Sequence, residues 1–314
     1  MKPRRSTPEG NHLPVLLDEV IRFLNPQEGE VAVDCTLGNG GHALALLSRL
    51  GPSGRLIACD LDGLQLPEVT QLLHAYQSQC EIHHGNFAGI SSMIFATSMD
   101  GCDCLLADLG MSSMQVDDRE RGFSFRRTGP LDMRMDRSRG NTAAELLQTI
   151  SEEELTQAFR ELGDEPQAEA IANAIVEQRQ QQPLRTTTEL SRLVQRAAPV
   201  PLNPLYSRNV AKPWQQKLRP VARVFQTLRI LVNRELANLQ ALLRSLPHCL
   251  KSGGRCVIIS FHSGEDRLVK AAFKQGLHQG LFRLISDVPV RAGIDERVRN
   301  PRSRSARLRW AVRS

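Results

Sequence analysis

The chain has 314 residues, of which 41% are hydrophobic, 24% charged and only 4% aromatic, and its net charge is +6. That composition supports a sizeable core and excludes wholesale disorder. The shortage of aromatics leaves little material for a base-stacking platform, and no apolar run approaches membrane-spanning length. Charge is uneven along the chain. Residues 291–314 hold eight arginines against two acids, so the remainder is close to neutral. A basic terminal segment suits a polyanion, because arginine neutralises phosphate and binds it bidentately; a solvated edge has the same composition. The seven cysteines are odd in number and form no C-x-x-C pair. Cys35, Cys59, Cys104 and Cys256 lie inside apolar runs, which points to buried free thiols in a reducing, cytoplasmic setting. Residues 1–12 are basic but lack an apolar core, so no secretory signal is expected; a leader this short is compatible with an organelle matrix.

In chain order, strands are expected at 31–36, 54–60, 80–85, 102–110, 254–261, 281–286 and 306–312. Most are continuous apolar runs rather than alternating ones, the pattern of parallel strands covered on both faces by helices. The alternation of strand and helix predicts an α/β fold with a doubly wound sheet. It breaks after Gly110. From about Gly140 to Pro199 the pattern is only helical, with Ser151 and three following glutamates reading as a helix start. A small helical domain is therefore expected inside the α/β core. Residues 198–216 carry four prolines and read as a connecting loop, followed by one long helix over about 218–246.

The stretch VAVDCTLGNGGHALALL, 31–47, outlines a strand, a glycine turn and a helix start. Gly38, Gly40 and Gly41 let backbone approach a ligand, and Asp60 at the end of the second strand can accept from ribose hydroxyls. This predicts an adenosine-containing ligand and does not choose between a dinucleotide and a methyl donor. His42 reads either as a residue satisfying backbone groups at the helix start or as a ligand contact. After the third strand, Phe87 is a candidate neighbour for a purine, or ordinary core. His83 and His84 lack a third ligand nearby in sequence, so no metal site is expected. His262, just past the strand at 254–261, reads equally as a pocket residue or a cap. The segment LLADLGMSSMQVDDRERGFSFRRTGPLDMRMD, 105–136, places Asp108 at the end of the fourth strand and then loses all period. A loop of that kind is usually functional.

HLPVLLDEV, LGNGGH, DLGMSSMQVDDRERGFSFRRTGPLDMRMD, RVFQTLRILVNREL, SFHSGEDRLVK and NPRSRSARLR, in this order, resemble the MraW/RsmH family from His12 to about Arg309. The resemblance implies a class I, Rossmann-like methyltransferase sheet with an inserted all-helical domain. It implies methylation of N4 of a cytosine in the decoding centre of 16S ribosomal RNA, with S-adenosylmethionine as cofactor. The core is then 1–120 with 217–314, and 121–216 is the insertion that meets RNA. Expected cofactor contacts are Gly40, Gly41, His42, Asp60, Phe87, Asp108 and Gln115. Asp108, Ser112 and Ser113 are the candidate acceptors for the cytosine amine. Arg126, Arg127, Arg134 and Arg137, with Arg302, Arg304 and Arg307, are candidates to hold RNA. Gln226, Arg229 and Asn233 fall at helical spacing as crevice candidates, whereas Leu228, Leu231 and Leu236 read as that helix's core face. The implied partner is the small ribosomal subunit, without a membrane, with a homodimer as one oligomeric option.

Four positions depart from the family pattern: Met114 for proline, Leu61 for a polar residue, Gly264 for leucine, and Pro67 interrupting the helix after Asp62. Met114 predicts a looser turn before Gln115. Two other functions compete, a nicotinamide-dependent oxidoreductase and a non-catalytic RNA-binding or ribosome-assembly factor on the same fold.

Overall fold

The computed structural model describes residues 13–97, 100–199 and 218–314. The basic leader at 1–12 and most of the expected connecting loop lie outside the described residues. The chain divides into two units, one of 1–110 with 236–314 and one of 111–235.

The first unit opens with helix α1 (Leu17–Leu24), then β1 (Val31–Asp34), α2 (Gly41–Leu50), β2 (Arg55–Asp60), α3 (Leu66–Leu72), β3 (Cys80–His84), α4 (Ile90–Ala96) and β4 (Cys102–Asp108). All seven expected strands are present, the last three being β5 (Leu250–Ser260), β6 (Phe282–Ile285) and β7 (Arg307–Arg313). They form one sheet in the order β3-β2-β1-β4-β5-β7-β6. The five strands from β3 to β5 are parallel, and β7 runs antiparallel to both β5 and β6. Successive residues of one strand feed opposite cores. Ala32, Leu56, Ala58, Cys104, Leu106, Val257 and Ile259 belong to one. Val33, Ile57, Cys59, Leu105, Ala107, Cys256 and Ile258 belong to the other. Side chains alternate across a strand, so two covered faces demand the unbroken apolar runs seen in the sequence. All seven cysteines are free, and six are buried. Burial pushes their thiols away from the reactive thiolate, Cys256 up to about 12.

Pro67 does not interrupt α3. It sits in that helix's first turn, where its missing N–H has no intrahelical partner to lose.

The second unit is helical: α5 (Ser113–Asp117), α6 (Ala143–Thr149), α7 (Glu152–Glu161), α8 (Ala168–Gln181), α9 (Thr187–Ala197) and α10 (Arg219–Asn233). Reciprocal capping boxes start α6, α7 and α9, using Thr142 with Glu145, Ser151 with Glu154, and Thr186 with Glu189. The expected single helix over 218–246 is two. Arg234 adopts a left-handed backbone, φ 52°, and α11 (Glu235–Cys249) begins after it. Arg229 bonds both carboxylate oxygens of Glu235 at 2.8 and 2.9 Å, which holds that break. Because α10 packs on α6, α7 and α9, the units divide at 110/111 and 235/236 rather than at 120 and 217.

The aperiodic stretch after α5 is ordered by polar clamps. Buried Arg121 donates to the carbonyls of Arg134 and Met135 at 3.1 and 2.8 Å. Asn233 donates to the Met133 carbonyl and accepts from the Met135 N–H, at 2.8 and 2.7 Å. Gln226, Arg229 and Asn233 were expected to line a crevice. Arg229 and Asn233 instead fix this turn and the helix break, and Leu228 lies in the core as expected.

The remaining helices of the first unit are α12 (Ser263–His278) and α13 (Ile294–Arg299), the latter followed by a 3-10 turn at Pro301–Arg304.

Candidate active site

In the first unit, β1 lies between β2 and β4, and the strand order reverses there. The carboxyl ends of β1 and β4 at such a reversal frame a ligand crevice. Asp34 ends β1 and Asp108 ends β4.

The turn after β1 is packed so closely that it requires glycine. Gly40 caps α2 with φ 76°, and no side chain caps that helix. A Cβ on Gly40 would stand 2.9 Å from Val69 Cγ1, and one on Gly41 would stand 2.5 Å from Pro14 Cγ. Val69 and Pro14 pack against the turn, so only glycine fits there, and the first-turn N–H groups of α2 have no side-chain cap, a setting that favours a carboxylate. Gly41→Ala is expected to push Pro14 off the turn and destabilise the fold by about 1–3 kcal/mol, which a thermal melt checks. An unchanged melting temperature would contradict the packing of Pro14 on this turn.

His42 is buried, with Nε2 at 3.6 Å from Asp108 Oδ2. Neither ring nitrogen has a hydrogen-bond partner among the described residues. A histidine serving the helix start would bond backbone, so that reading does not hold. Asp60 ends β2 and accepts from the Gly38 N–H at 2.7 Å and the Asp62 N–H at 2.8 Å. Burial raises its carboxyl above the ordinary range, while those two N–H groups pull it back. Phe87 opens a 3-10 turn after β3, is half-buried, and packs at the edge of the second core. Asp108 donates its backbone N–H to Thr36 Oγ1 at 2.7 Å, and its Oδ1 has no partner among the described residues.

Asp34, Thr36 and Pro14 were not singled out from sequence. Asp34 is fully buried; one oxygen accepts from the Thr36 N–H at 3.0 Å, and Oδ2 has no partner among the described residues. Burial pushes its carboxyl up to about 6, the Asp108 and Asp60 charges add to the rise, and His42 and the Thr36 N–H oppose it. The only signal in sequence was an acid closing a buried strand two residues before a threonine. The folded protein holds a proton that an unfolded aspartate, at 3.8, would shed. This carboxyl's contribution to stability is thus full below pH 4 and lost as pH rises through about 6. Asp34→Asn is expected to stabilise the fold at pH 7 by on the order of 2–3 kcal/mol and to flatten the melting temperature between pH 4 and 6. Melting curves across that range that match the parent would contradict it.

Orphaned carboxylate oxygens on Asp34 and Asp108, with an uncapped helix start beside them, fit a ligand bearing a cationic centre and a carboxylate. S-adenosylmethionine has both. Gly40, Gly41, His42, Asp60 and Asp108 lie at the carboxyl ends of β1, β2 and β4, and Phe87 follows the carboxyl end of β3 on the same sheet edge.

In the helical unit, Ser112 Oγ accepts from the Gln115 N–H at 3.2 Å, and Gln115 Oε1 accepts from the Ser112 N–H at 3.0 Å. This capping box starts α5, of which Ser113 is the first residue. Met114 takes its second position, where an N–H needs no helical partner. The expected looser turn is not seen, because the box holds it. Arg126 and Arg127 are exposed, and Arg127 donates to the Asp117 carbonyl at 2.7 Å. Arg134 is committed to Asp132, at 2.7 and 3.1 Å, and to the Gly140 carbonyl. Arg137 lies 3.4 Å from the same Asp132.

In the first unit, Arg302 and Arg304 are exposed on the 3-10 turn, and Arg307 is half-buried at the start of β7. His262 is a cap, accepting from the Glu265 N–H at 3.4 Å as α12 begins. Gly264 leaves room for its ring, which a Cβ would approach to 3.2 Å. His83 pairs with Glu81 at 2.9 Å, and His84 Nε2 lies 3.2 Å from the Leu61 carbonyl.

The model of the MraW methylase family matches residues 9–314. A protein of Geobacter sp. (strain M21) named ribosomal RNA small subunit methyltransferase H is 42% identical, over 95% of this chain and 97% of its own. Proteins of the same name from Acidobacterium capsulatum and Thermomicrobium roseum are each 41% identical, over 96% of this chain and 97% and 93% of theirs. These matches point to a methyltransferase and not to a nicotinamide-dependent oxidoreductase. With matches of this extent and identity, the chain belongs to the MraW methylase family and is an S-adenosylmethionine-dependent methyltransferase.

Proposed function

We propose that the chain methylates N4 of one cytosine in the decoding centre of small-subunit (16S) ribosomal RNA. The relatives' shared name supports the RNA, and the orphaned Asp108 Oδ1 at the end of β4 is the observation that carries the chemistry. S-adenosylmethionine supplies an electrophilic methyl group on positively charged sulfur. Gly40 and Gly41 offer backbone to its carboxylate end, with His42 beside them. Asp60 takes the ribose hydroxyls and Phe87 flanks the adenine. Asp34 contributes negative charge where the cation lies.

The exocyclic amine of cytosine is a poor nucleophile, because its lone pair is delocalised into the ring. Asp108 accepts a hydrogen bond from that amine, holds it at attack distance, and takes the proton released after transfer. Ser112 acts by fixing the α5 turn, since its hydroxyl is engaged in the capping box, and Ser113 opens the same turn. Gln115, buried and held by that box, fixes the start of α5. The helical unit also recognises the RNA, which must present an unstacked base. Arg126 and Arg127 supply phosphate contacts from the loop that Arg134, tied to Asp132, shapes, and Arg302 and Arg304 supply others from the 3-10 turn before β7.

The setting is the cytoplasm, with the small ribosomal subunit as partner; among the described residues no helix is long and apolar enough to cross a membrane. The test is transfer of labelled methyl from S-adenosylmethionine to small subunits that lack the modification. Incorporation into the RNA is expected. Binding of the subunit without incorporation would favour a non-catalytic assembly factor.

A further inference from the structure

The C-terminal basic segment is neither a solvated tail nor an isolated edge. Its place is set by sheet register. Arg307 of β7 lies opposite Ser260 of β5, next to the pairing of Ile259 with Asp108. The residues leading into β7 therefore lie at the carboxyl edge of the sheet, the edge that holds the cofactor crevice. Two bonds fix them there. Glu296 Oε1 accepts from the Leu16 N–H at 2.8 Å, and Asn300 Nδ2 donates to the Leu13 carbonyl at 3.0 Å. Pro14, between those anchor points, packs on Gly41 of the glycine turn. The underside is buried through Ala292, Ser303 and Ala306.

What this anchored segment presents outward is positive charge. Arg291, Arg297, Arg299 and Arg304 are exposed, and Arg304 Nε reaches the Arg297 carbonyl at 3.3 Å, which draws two guanidinium-bearing residues together. Of its two acids, Glu296 is used to hold the segment in place. Ile294 and Val298, four residues apart on α13, are 79% and 62% exposed between these arginines.

We propose that residues 291–304 form a landing surface for the phosphate backbone of small-subunit ribosomal RNA, beside the crevice that receives the target base. The arginines take consecutive phosphates, and Ile294 and Val298 meet sugar faces between them. This rests on the reading of the RNA as substrate and adds where its backbone lies. A fixed cationic surface at the lip of the site lets phosphate contacts set the register without reading bases.

The test uses the full chain with Arg291→Gln, Arg297→Gln and Arg299→Gln combined. Its control removes the same charge elsewhere in the first unit, through exposed Arg49→Gln, Arg55→Gln and Arg244→Gln. Binding to purified small subunits lacking the modification is measured over a salt titration, and binding of S-adenosylhomocysteine by calorimetry. The triple variant is expected to bind subunits at least about tenfold more weakly, with the slope of log affinity against log salt reduced by about 2–3. Its affinity for S-adenosylhomocysteine should match the parent, and the control should keep the parent's slope. An unchanged slope in the triple variant, or an equal loss in the control, would overturn the proposal. So would a segment that instead mediates binding to phosphatidylglycerol vesicles or self-association, read as loss of either in the triple variant with subunit binding intact. Subunit binding that depends on these arginines, in a parent that transfers no methyl group, would support the surface while refuting the enzymatic reading.

Discussion

Asp108→Ala is expected to lower single-turnover methyl transfer by roughly 10²–10⁴-fold while leaving the fold intact. The backbone bond from Asp108 to Thr36 does not involve its side chain, so the carboxylate can be removed without untying β4 from the glycine turn. Oδ1 has no partner among the described residues, and Oδ2 lies 3.6 Å from Nε2 of His42. Such a group is poorly explained by stability and well explained by a ligand. Asp108→Asn keeps one acceptor oxygen but cannot take the proton, so it should fall between the parent and the alanine variant. Single-turnover rates at saturating cofactor, with a melting curve for each variant, check this. Normal turnover at saturation with only weaker cofactor binding would remove Asp108 as the amine's acceptor.

Asp60→Ala should act on a different quantity. Its carboxylate gathers the Gly38 and Asp62 N–H groups and is proposed to take the ribose hydroxyls as well. Losing charge-assisted bonds of that kind costs about 1.5–3 kcal/mol, so cofactor affinity should fall by about 10–100-fold. Turnover at saturating cofactor should stay within a few-fold of the parent. Calorimetry with S-adenosylhomocysteine and a rate at saturation separate the two. A variant that binds normally and fails in turnover would show that Asp60 has another role.

The first unit was legible because its physics is local. A strand covered on both faces must be apolar along its length, and the runs that came nearest to this rule became the central strands β1, β2, β4 and β5. Ser151 was readable as a helix start for the same reason, since its capping box closes within four residues. The break at Arg234 was not readable. Leu228 to Leu246 keeps a helical apolar period through it, and the break depends on Arg229 meeting Glu235 once the chain has turned. Asn233 looked like a crevice residue because spacing cannot show that its amide is consumed by the backbone of Met133 and Met135.

The crevice was half legible. Glycines and strand-end acids stand out by position, which is why Gly40, Gly41, Asp60 and Asp108 were candidates from the sequence. Asp34 closes a strand in the same way but was not among the expected contacts. Only its complete burial with an unsatisfied oxygen marks it out. For His42, position alone allows two readings, and its place among the expected cofactor contacts came from the resemblance. A cap and a ligand contact share one sequence position, and only the absence of backbone bonds to its ring separates them.

The most direct measurement of the central claim is nucleoside mass spectrometry of small-subunit RNA. Subunits lacking the modification would be incubated with the chain and S-adenosylmethionine, and the RNA digested. The account predicts N4-methylcytidine at one site, formed by the parent and strongly reduced with Asp108→Ala. A methylated nucleoside of any other kind, or N4-methylcytidine formed equally well without the Asp108 carboxylate, would contradict it.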